Sequence, residues 1–524
     1  MTANTHDAIR ARYDDLPYRS YAYLHSAPEQ LAAVASLFGL PSPETGTARV
    51  LELGGASGGN LIPFALRHPG AKAVALDISG VQVAAGQEYI ARLGAGNVSL
   101  AEADFLDLDP AALGQFDYII AHGVYSWVSP EVQQAVLAIL AKCLAPDGVA
   151  FVSYNTYPGW KAKEILRDAM LMHAGSRPTA AEQVAYGRAM IGFLQKVALK
   201  GGLTAAALNE NLAQIANSPV SYVAHDYLEP FNLPCYFHQF VERAGGHGLA
   251  YLGEAQPSMM MPSNYGPELA QQLYGALGPD QVRVEQYLDF AISRTFRQTL
   301  LVHKERAADL HWQMQRETLQ RMHFAANVAC ADGDIRLDGQ PQDFVAPPGT
   351  RRISVALSGI KQAIAFMSRS WPGTVTRDQL IDHAEQSQGS QDAVSREVLG
   401  DAIDELLEIM VLQGMARMRL HAVEAAAPGT SLAIDPLVRR QVAALSPDQN
   451  HVANAWHDTV DIGELERLLF PMMDGSAGRD VLVATVDGAL RDGTLAQDAQ
   501  SGTGSAGVLD AALDKWGQAA VLQR

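Results

Sequence analysis

The sequence predicts an α/β protein: a doubly wound parallel sheet, followed by a mainly helical, winged-helix-like C-terminal region. Three observations predict it. Residues 47–155 alternate short apolar runs with helical stretches, which is the pattern of a parallel sheet joined by crossover helices. A glycine-rich turn, Gly54-Gly55-Ala56-Ser57-Gly58-Gly59, directly follows the first apolar run. Beyond residue 305 the chain is helix-dominated, with two short strand-like pieces.

Residues 1–46 form an aromatic, proline-containing N-terminal arm with a short helix at Glu29–Phe38. Strands are expected at Arg49–Leu53 (RVLEL), Ala73–Leu76, Asn97–Ala101, Phe116–Ala121 (FDYIIA) and Gly148–Tyr154 (GVAFVSY). Helices fall between them at Gly59–Arg67, Gly80–Leu93 and Pro130–Leu144, so residues 47–159 form a core unit. Residues 160–235 are rich in Ala, Gln and Leu and read as helices only, a cap inserted after the fifth strand. The helix Tyr236–Gly245 and the strands Gly248–Leu252 and Thr295–Lys304 then close the sheet over 236–304, with a smaller insertion at 256–292. Residues 305–350 read as a linker, since Ala331–Arg351 is polar and rich in Asp, Gly and Pro. Three helices, Lys361–Ser370, Arg377–Gln386 and Ser395–Val411, precede a strand at Gly414–Leu420, an order that suggests a winged-helix unit over 351–423. A fainter second copy is expected over 431–524. It has a helix at Asp480–Leu490, a Gly/Ser-rich stretch at Ser501–Gly507 and a last helix near Leu509–Ala519.

Composition bounds the function. The 524 residues predict about three domains, at roughly 100–200 residues each. With 48% hydrophobic and 18% charged residues, a sizeable core can be buried and wholesale disorder is excluded. A net charge of −18 argues against nucleic-acid or anionic-membrane partners, because both surfaces repel the chain. Met1–Ser20 has no apolar segment of a secretory signal, and no stretch approaches 18 uninterrupted apolar residues. No membrane insertion and a cytoplasmic location are therefore expected. Cys143, Cys235 and Cys330 lie far apart with no CxxC pair, which argues against a disulfide framework and a zinc ribbon. Cys235, His238, His247, Asp226 and His225 can be drawn as a metal site but read as ordinary helix-face and loop residues, so no metal is expected.

The glycine-rich turn carries the chemistry. A dinucleotide fingerprint needs glycine at 54, 56 and 59, and position 56 is Ala. The pattern acidic-x-Gly-x-Gly-x-Gly at 52, 54, 56 and 58 fits better, with Ala56 as its one departure. That is the loop of class I S-adenosylmethionine (SAM) methyltransferases. Glu52, Gly54, Gly55, Ala56, Gly58 and Asn60 are thus expected around SAM. Asp77 ends the second strand, where a carboxylate can accept ribose hydroxyls. Asp104 follows the third strand and is expected to take the adenine amino group, with Phe105 covering the ring. A plain strand–helix turn and an NAD(P) enzyme are the competing readings of the loop.

Several strings go beyond the fold: Tyr13–Tyr18 (YDDLPY), Glu52–Asn60, His122–Val128 (HGVYSWV), Ser153–Trp160 (SYNTYPGW) and Tyr227–Asn232 (YLEPFN). Over residues 10–304 they resemble the bacterial methyltransferases that carry a methyltransferase regulatory domain, a group that includes outer-membrane-protein lysine methyltransferases. The resemblance implies a Rossmann-like, seven-stranded class I core, SAM as cofactor, and methyl transfer to an amine, with a protein lysine as the favoured acceptor. His122, Tyr125, Asn155 and Tyr157 are the expected catalytic residues, and Tyr18, Trp127 and Trp160 the expected substrate contacts. The chemistry fits them: a lysine must first lose its proton, and an aromatic, partly dry pocket both grips the ammonium and lowers its pKa. The competing reading is that these rings pack the cap onto the sheet. Asn155-Thr156-Tyr157-Pro158 lacks the first proline of an Asn-Pro-Pro-Tyr motif and follows the wrong strand. A small-molecule acceptor and a non-catalytic SAM-binding protein are the alternative functions; a homo-oligomer is left open. Residues 351–420 hold 8 Lys/Arg against 9 Asp/Glu, which suits protein rather than DNA contact.

Overall fold

Seven strands form one mixed sheet in the computed structural model, which describes residues 10–495 and 504–524 apart from positions 12, 178, 348 and 391. The strands are β1 (Arg49–Leu53), β2 (Lys72–Asp77), β3 (Val98–Glu102), β4 (Phe116–Ala121), β5 (Leu144–Asn155), β6 (Leu249–Glu254) and β7 (Phe296–His303), in the order β3-β2-β1-β4-β5-β7-β6. β1 runs parallel to β2 and β4, and β4 parallel to β5. β7 is antiparallel to both its neighbours. β1 and β4 are buried almost throughout, as central parallel strands covered on both faces must be. From edge strand β3 the chain returns to β4 beside β1. The carboxyl ends of β1 and β4 therefore flank a crevice at the point where the strand order reverses.

The crossover helices start at that crevice. Gly80–Leu93 begins on Ser79, whose hydroxyl accepts the Gln82 N–H, and ends on left-handed Gly94. Pro130–Cys143 begins on Ser129, which accepts the Val132 N–H, with proline in the first turn. Residues 160–227 form four helices around their own apolar cluster, which includes Leu166, Met170, Val184, Ile191, Ile215 and Val223. No strand occurs among the described residues of that span. Two helices, Pro267–Leu277 and Gln281–Ile292, lie between β6 and β7.

The stretch expected to be a linker is structured. β8 (His323–Ala325) is the middle strand of a sheet with β12 (Val375–Thr376) and β13 (Arg417–Arg419). β9 (Ala329–Cys330), β10 (Gln342–Ala346) and β11 (Arg351–Val355) form another sheet. The reason lies in alternation: Gln342, Phe344 and Ala346 face inward while Asp343 and Val345 are half-exposed, a short period-two pattern hidden within a polar stretch. The helices Ser358–Ser370, Arg377–Ser387 and Arg396–Leu412 pack against this part. A last unit holds Pro436–Ala444, the hairpin β14 (His451–Ala453) and β15 (Thr459–Asp461), and the helices Glu464–Leu469, Arg479–Asp492 and Ser505–Gln518 around a separate core. Positions 501–503 of the expected Gly/Ser-rich stretch lie outside the described residues. No helix among the described residues is long and apolar enough to cross a membrane.

One buried ionic cluster fastens the end of the sheet. Arg297 on β7 bonds Glu254 of β6 at 2.8 Å, Glu285 at 2.9 Å and Asp289 at 2.8 Å, with its guanidinium 3.7 Å from the Phe237 ring centroid. Removing one partner of such a cluster strands the others as uncompensated buried charge. Arg297→Met is expected to lower unfolding free energy by about 3–5 kcal/mol, read by denaturant titration against the wild type.

Candidate cofactor and acceptor site

The glycine turn is shaped by three consecutive demands. Gly54, Ala56 and Gly58 all take left-handed backbone, at φ 74°, 50° and 80°. At position 54 glycine is needed twice over, since a Cβ there would overlap the Val124 side chain. Ala56 pays the left-handed penalty of roughly 1–2 kcal/mol that glycine would avoid. A charge-assisted bond offsets it: Asp77 Oδ2 accepts the Ala56 N–H at 2.7 Å, and Asp77 Oδ1 accepts that of Ser79 at 2.9 Å. Burial raises the Asp77 pKa, and these backbone N–H bonds pull it back.

A single cleft gathers much of the expected site. It is lined by Gly54, Ala56, Asp77, Asp104 and Phe105, and by Tyr18, His122 and Trp127. Asp104 Oδ1 accepts the Leu106 N–H at 3.0 Å, which orients its carboxylate at the end of β3. His122 faces Ser153 Oγ through Nδ1 at 2.9 Å and packs edge-on to Tyr23, with ring centroids 4.1 Å apart. Burial holds the His122 pKa down at about 4. The Tyr18 hydroxyl is pushed up to about 12, by burial and then by Asp226.

Other expected residues stand behind the cleft. Glu52 is buried, its Oε1 accepting from Asn60 Nδ2 at 2.8 Å, while Oε2 lies under Gly55 without a hydrogen-bond partner. Gly55, Gly58 and Asn60 shape and brace the turn without lining the cavity. Trp160 is buried and packs edge-on to Trp127 at 6.4 Å. Three expected catalytic residues are corrected by their surroundings. Tyr125 is wholly buried, its ring set against Phe240 at 5.2 Å and Tyr154 at 6.2 Å. Asn155 Nδ2 donates to Asn232 Oδ1 at 3.1 Å, and Asn155 is not among the cleft's lining residues. Tyr157 donates to Glu164 at 2.5 Å and lies under Lys161, at 4.0 Å from the ring, outside the cavity lining. Each follows a strand whose carboxyl end faces the cleft, but Tyr125 turns into the core, and Tyr157 lines a separate surface cavity with Asn232 and Arg243.

Among the lining residues that sequence reasoning missed are Tyr13 and Tyr23 on the arm, and His225 and Asp226 on the cap helix Val220–Tyr227. The YDDLPY and YLEPFN strings sit next to all but Tyr23, and were the available signal. His225 joins the two segments, reaching Glu229 at 2.8 Å and the Leu16 carbonyl at 2.9 Å, with Tyr13 stacked on its ring. The histidines near Cys235 have separate partners: His238 faces Gln286 and His247 faces Gln134. Among the described residues no group of His, Cys, Asp and Glu is placed to hold a metal.

The donors and acceptors fit SAM: two carboxylates at successive strand ends for ribose and adenine, a flat ring at Phe105, and a tight glycine turn beside them. Fold and cleft together define a class I SAM-dependent methyltransferase. Family models for a methyltransferase domain, a predicted methyltransferase regulatory domain and a PKMT C-terminal winged helix domain match residues 51–150, 219–303 and 433–516. An uncharacterized protein of Rickettsia prowazekii, RP028, is 39% identical over 234 residues, which span 44% of this chain and 93% of that protein. RP789 of the same organism is 38% identical over 56% of this chain, a match that spans only 53% of the relative, about half its length. PKMT2 from Rickettsia typhi in complex with AdoHcy is 27% identical with a TM-score of 0.83, covering 97% of this chain and 100% of that one. The chain belongs to the SAM-dependent methyltransferases that carry a regulatory domain and a C-terminal winged helix.

Two outcomes are expected. Asp77→Ala should weaken SAM binding roughly ten- to over a hundredfold by calorimetry, because it removes a charged acceptor and an anchor of the turn. Glu52 has its pKa raised from 4.5 to about 7 by burial, with the Asn60 bond opposing and Asp77 reinforcing the rise. A raised carboxyl contributes stability below its unfolded value that is lost as pH climbs through the folded one. Ligand-free wild type should thus lose on the order of 3 kcal/mol relative to Glu52→Gln between about pH 4.5 and 7. Parallel stability curves for the two proteins would contradict this.

Proposed function

We propose that the chain methylates the ε-amine of a lysine in a protein substrate. The observation that carries this reading is the charge of the cleft. Among the described residues, its lining holds Asp77, Asp104 and Asp226 and no Lys or Arg. With Asp77 and Asp104 assigned to the nucleoside, Asp226 is left at the cap end, beside the Tyr18, Tyr23 and Trp127 rings. A carboxylate among aromatic faces suits a cationic amine, by ion pairing and cation–π attraction. The likeness to PKMT2 supports the same acceptor class.

SAM, when bound, supplies an electrophilic methyl group whose bond to sulfur breaks as the new bond to nitrogen forms. The protein aligns the amine with it and lets the amine lose its proton. Burial raises the Asp226 pKa, with the Tyr222 hydrogen bond and Lys163 opposing, which makes this carboxylate a better proton acceptor than an exposed one. His122 stays neutral at working pH, so it neither repels the incoming ammonium nor stores its proton. In this reading His122 shapes the wall of the cleft, and Tyr18, Tyr23 and Trp127 exclude water. The three cysteines are free thiols, which supports a reducing, cytoplasmic setting.

Tritiated-methyl SAM incubated with the full chain and a lysate should label protein, with the label recovered in methylated lysine after hydrolysis. Label confined to the small-molecule fraction would shift the acceptor to a metabolite, and SAM binding without any transfer would favour a non-catalytic role. Asp226→Asn should cut transfer about ten- to a hundredfold while leaving SAM affinity nearly unchanged.

A further inference from the structure

We propose that His457, in the C-terminal unit, is a positioning residue for the cofactor site: it holds Asn60, and through Asn60 both the carboxylate beneath the glycine turn and the arm that walls the cleft. His457 lies in the turn between β14 and β15, buried, at a left-handed φ of 66°. A non-glycine residue in that conformation is strained, and such strain persists only where surrounding contacts enforce it. Its ring points across the unit boundary, with Nε2 3.0 Å from Asn60 Oδ1.

Asn60 is the junction. Its Oδ1 also takes the Tyr23 N–H at 3.1 Å and the Ser26 hydroxyl at 3.2 Å, while its Nδ2 donates to Glu52 Oε1 at 2.8 Å. The amide orientation follows from this set, because the Tyr23 backbone N–H can only donate and so must face the amide oxygen. Glu52 Oε2 has no partner, so the Asn60 amide is the hydrogen-bond donor that secures the acid under Gly55. Burial holds the His457 pKa down at about 4, which leaves a neutral ring at working pH.

The rest of the hairpin grips the same segment of arm. His451 Nε2 is 2.8 Å from the Ser20 carbonyl, its ring lies 4.6 Å from that of Tyr21, and the Thr459 hydroxyl donates to the Ala22 carbonyl at 2.9 Å. On the other side Ser20 Oγ accepts the Gly59 N–H at 2.8 Å, and a Cβ at position 59 would overlap the Ser20 carbonyl. Residues 20–23 are thus held between the cofactor turn and the C-terminal hairpin. Tyr18 and Tyr23, at the two ends of this grip, line the cleft.

The test uses the full chain and S-adenosylhomocysteine, so it does not depend on the acceptor. His457→Ala should weaken binding several-fold to about tenfold by calorimetry and speed hydrogen exchange across residues 18–26. His457→Gln, which keeps an N–H donor at similar reach, should restore both to within about twofold. Thr459→Val should speed exchange at the arm with a smaller loss of affinity. The proposal is overturned if His457→Ala leaves affinity and exchange unchanged, or if Gln is as impaired as Ala. Should His457→Ala fail to fold, Thr459→Val decides: wild-type exchange and affinity would overturn the proposal. Failure here leaves lysine methylation untouched, and a non-lysine acceptor leaves this inference intact.

Discussion

The Asp77 carboxylate joins the end of β2 to the turn that leaves β1, and the cofactor end of the molecule is organised around that bond. One oxygen takes the N–H of Ala56, the residue that breaks the glycine pattern, and the other takes that of Ser79, which caps the next helix. Three left-handed residues in a five-residue turn would be costly without such an anchor. Because the anchor is itself buried, the two N–H bonds also compensate its desolvation. The same carboxylate borders the cleft, so the group that would meet a ribose also determines where the turn lies.

Around that turn the chain builds walls from distant segments. The arm lies across the turn through Ser20 and Gly59. The cap reaches the arm through His225, and the C-terminal hairpin reaches it through His451 and Thr459. None of these contacts is apolar core in the ordinary sense. They are hydrogen bonds between carbonyls, hydroxyls and rings that only a fixed relative placement of the units can align. The walls are thus assembled from the arm, the cap and the C-terminal hairpin, while the sheet carries the glycine turn.

Charge follows the same division. The chain as a whole carries −18 at pH 7. Among the described residues the cleft lining keeps carboxylates and holds no Lys or Arg, whereas the Arg297 cluster takes three acids into the interior to fasten β6 and β7. Partners separate two buried acids with the same ordinary value: burial takes Glu52 up to about 7, whereas Glu29, which burial also raises, is brought down to about 2 by its hydrogen bond to His68 and by nearby His457 and Arg419.

The sequence by itself determined the sheet, because hydrophobic period and turn chemistry are local. The expected spans of β1 and β4 coincide with those observed, and the other five sheet strands overlap theirs. Asp77, Asp104 and the glycine turn were legible for the same reason, since strand-end positions in a doubly wound sheet are fixed by topology. The sheets within 305–350 were missed because a polar stretch masks short alternation. The cap end of the cleft was decided by tertiary structure alone. Tyr125 and Trp127 are two residues apart, yet one lies in the core and the other in the cleft, since a tight turn of 3-10 helix separates their directions. Asp226 reaches the cleft only because the cap folds back over it. His457 meets Asn60 across 397 positions of sequence, a contact invisible to any local pattern, because only the packing of two separately folded cores brings those side chains within hydrogen-bond reach.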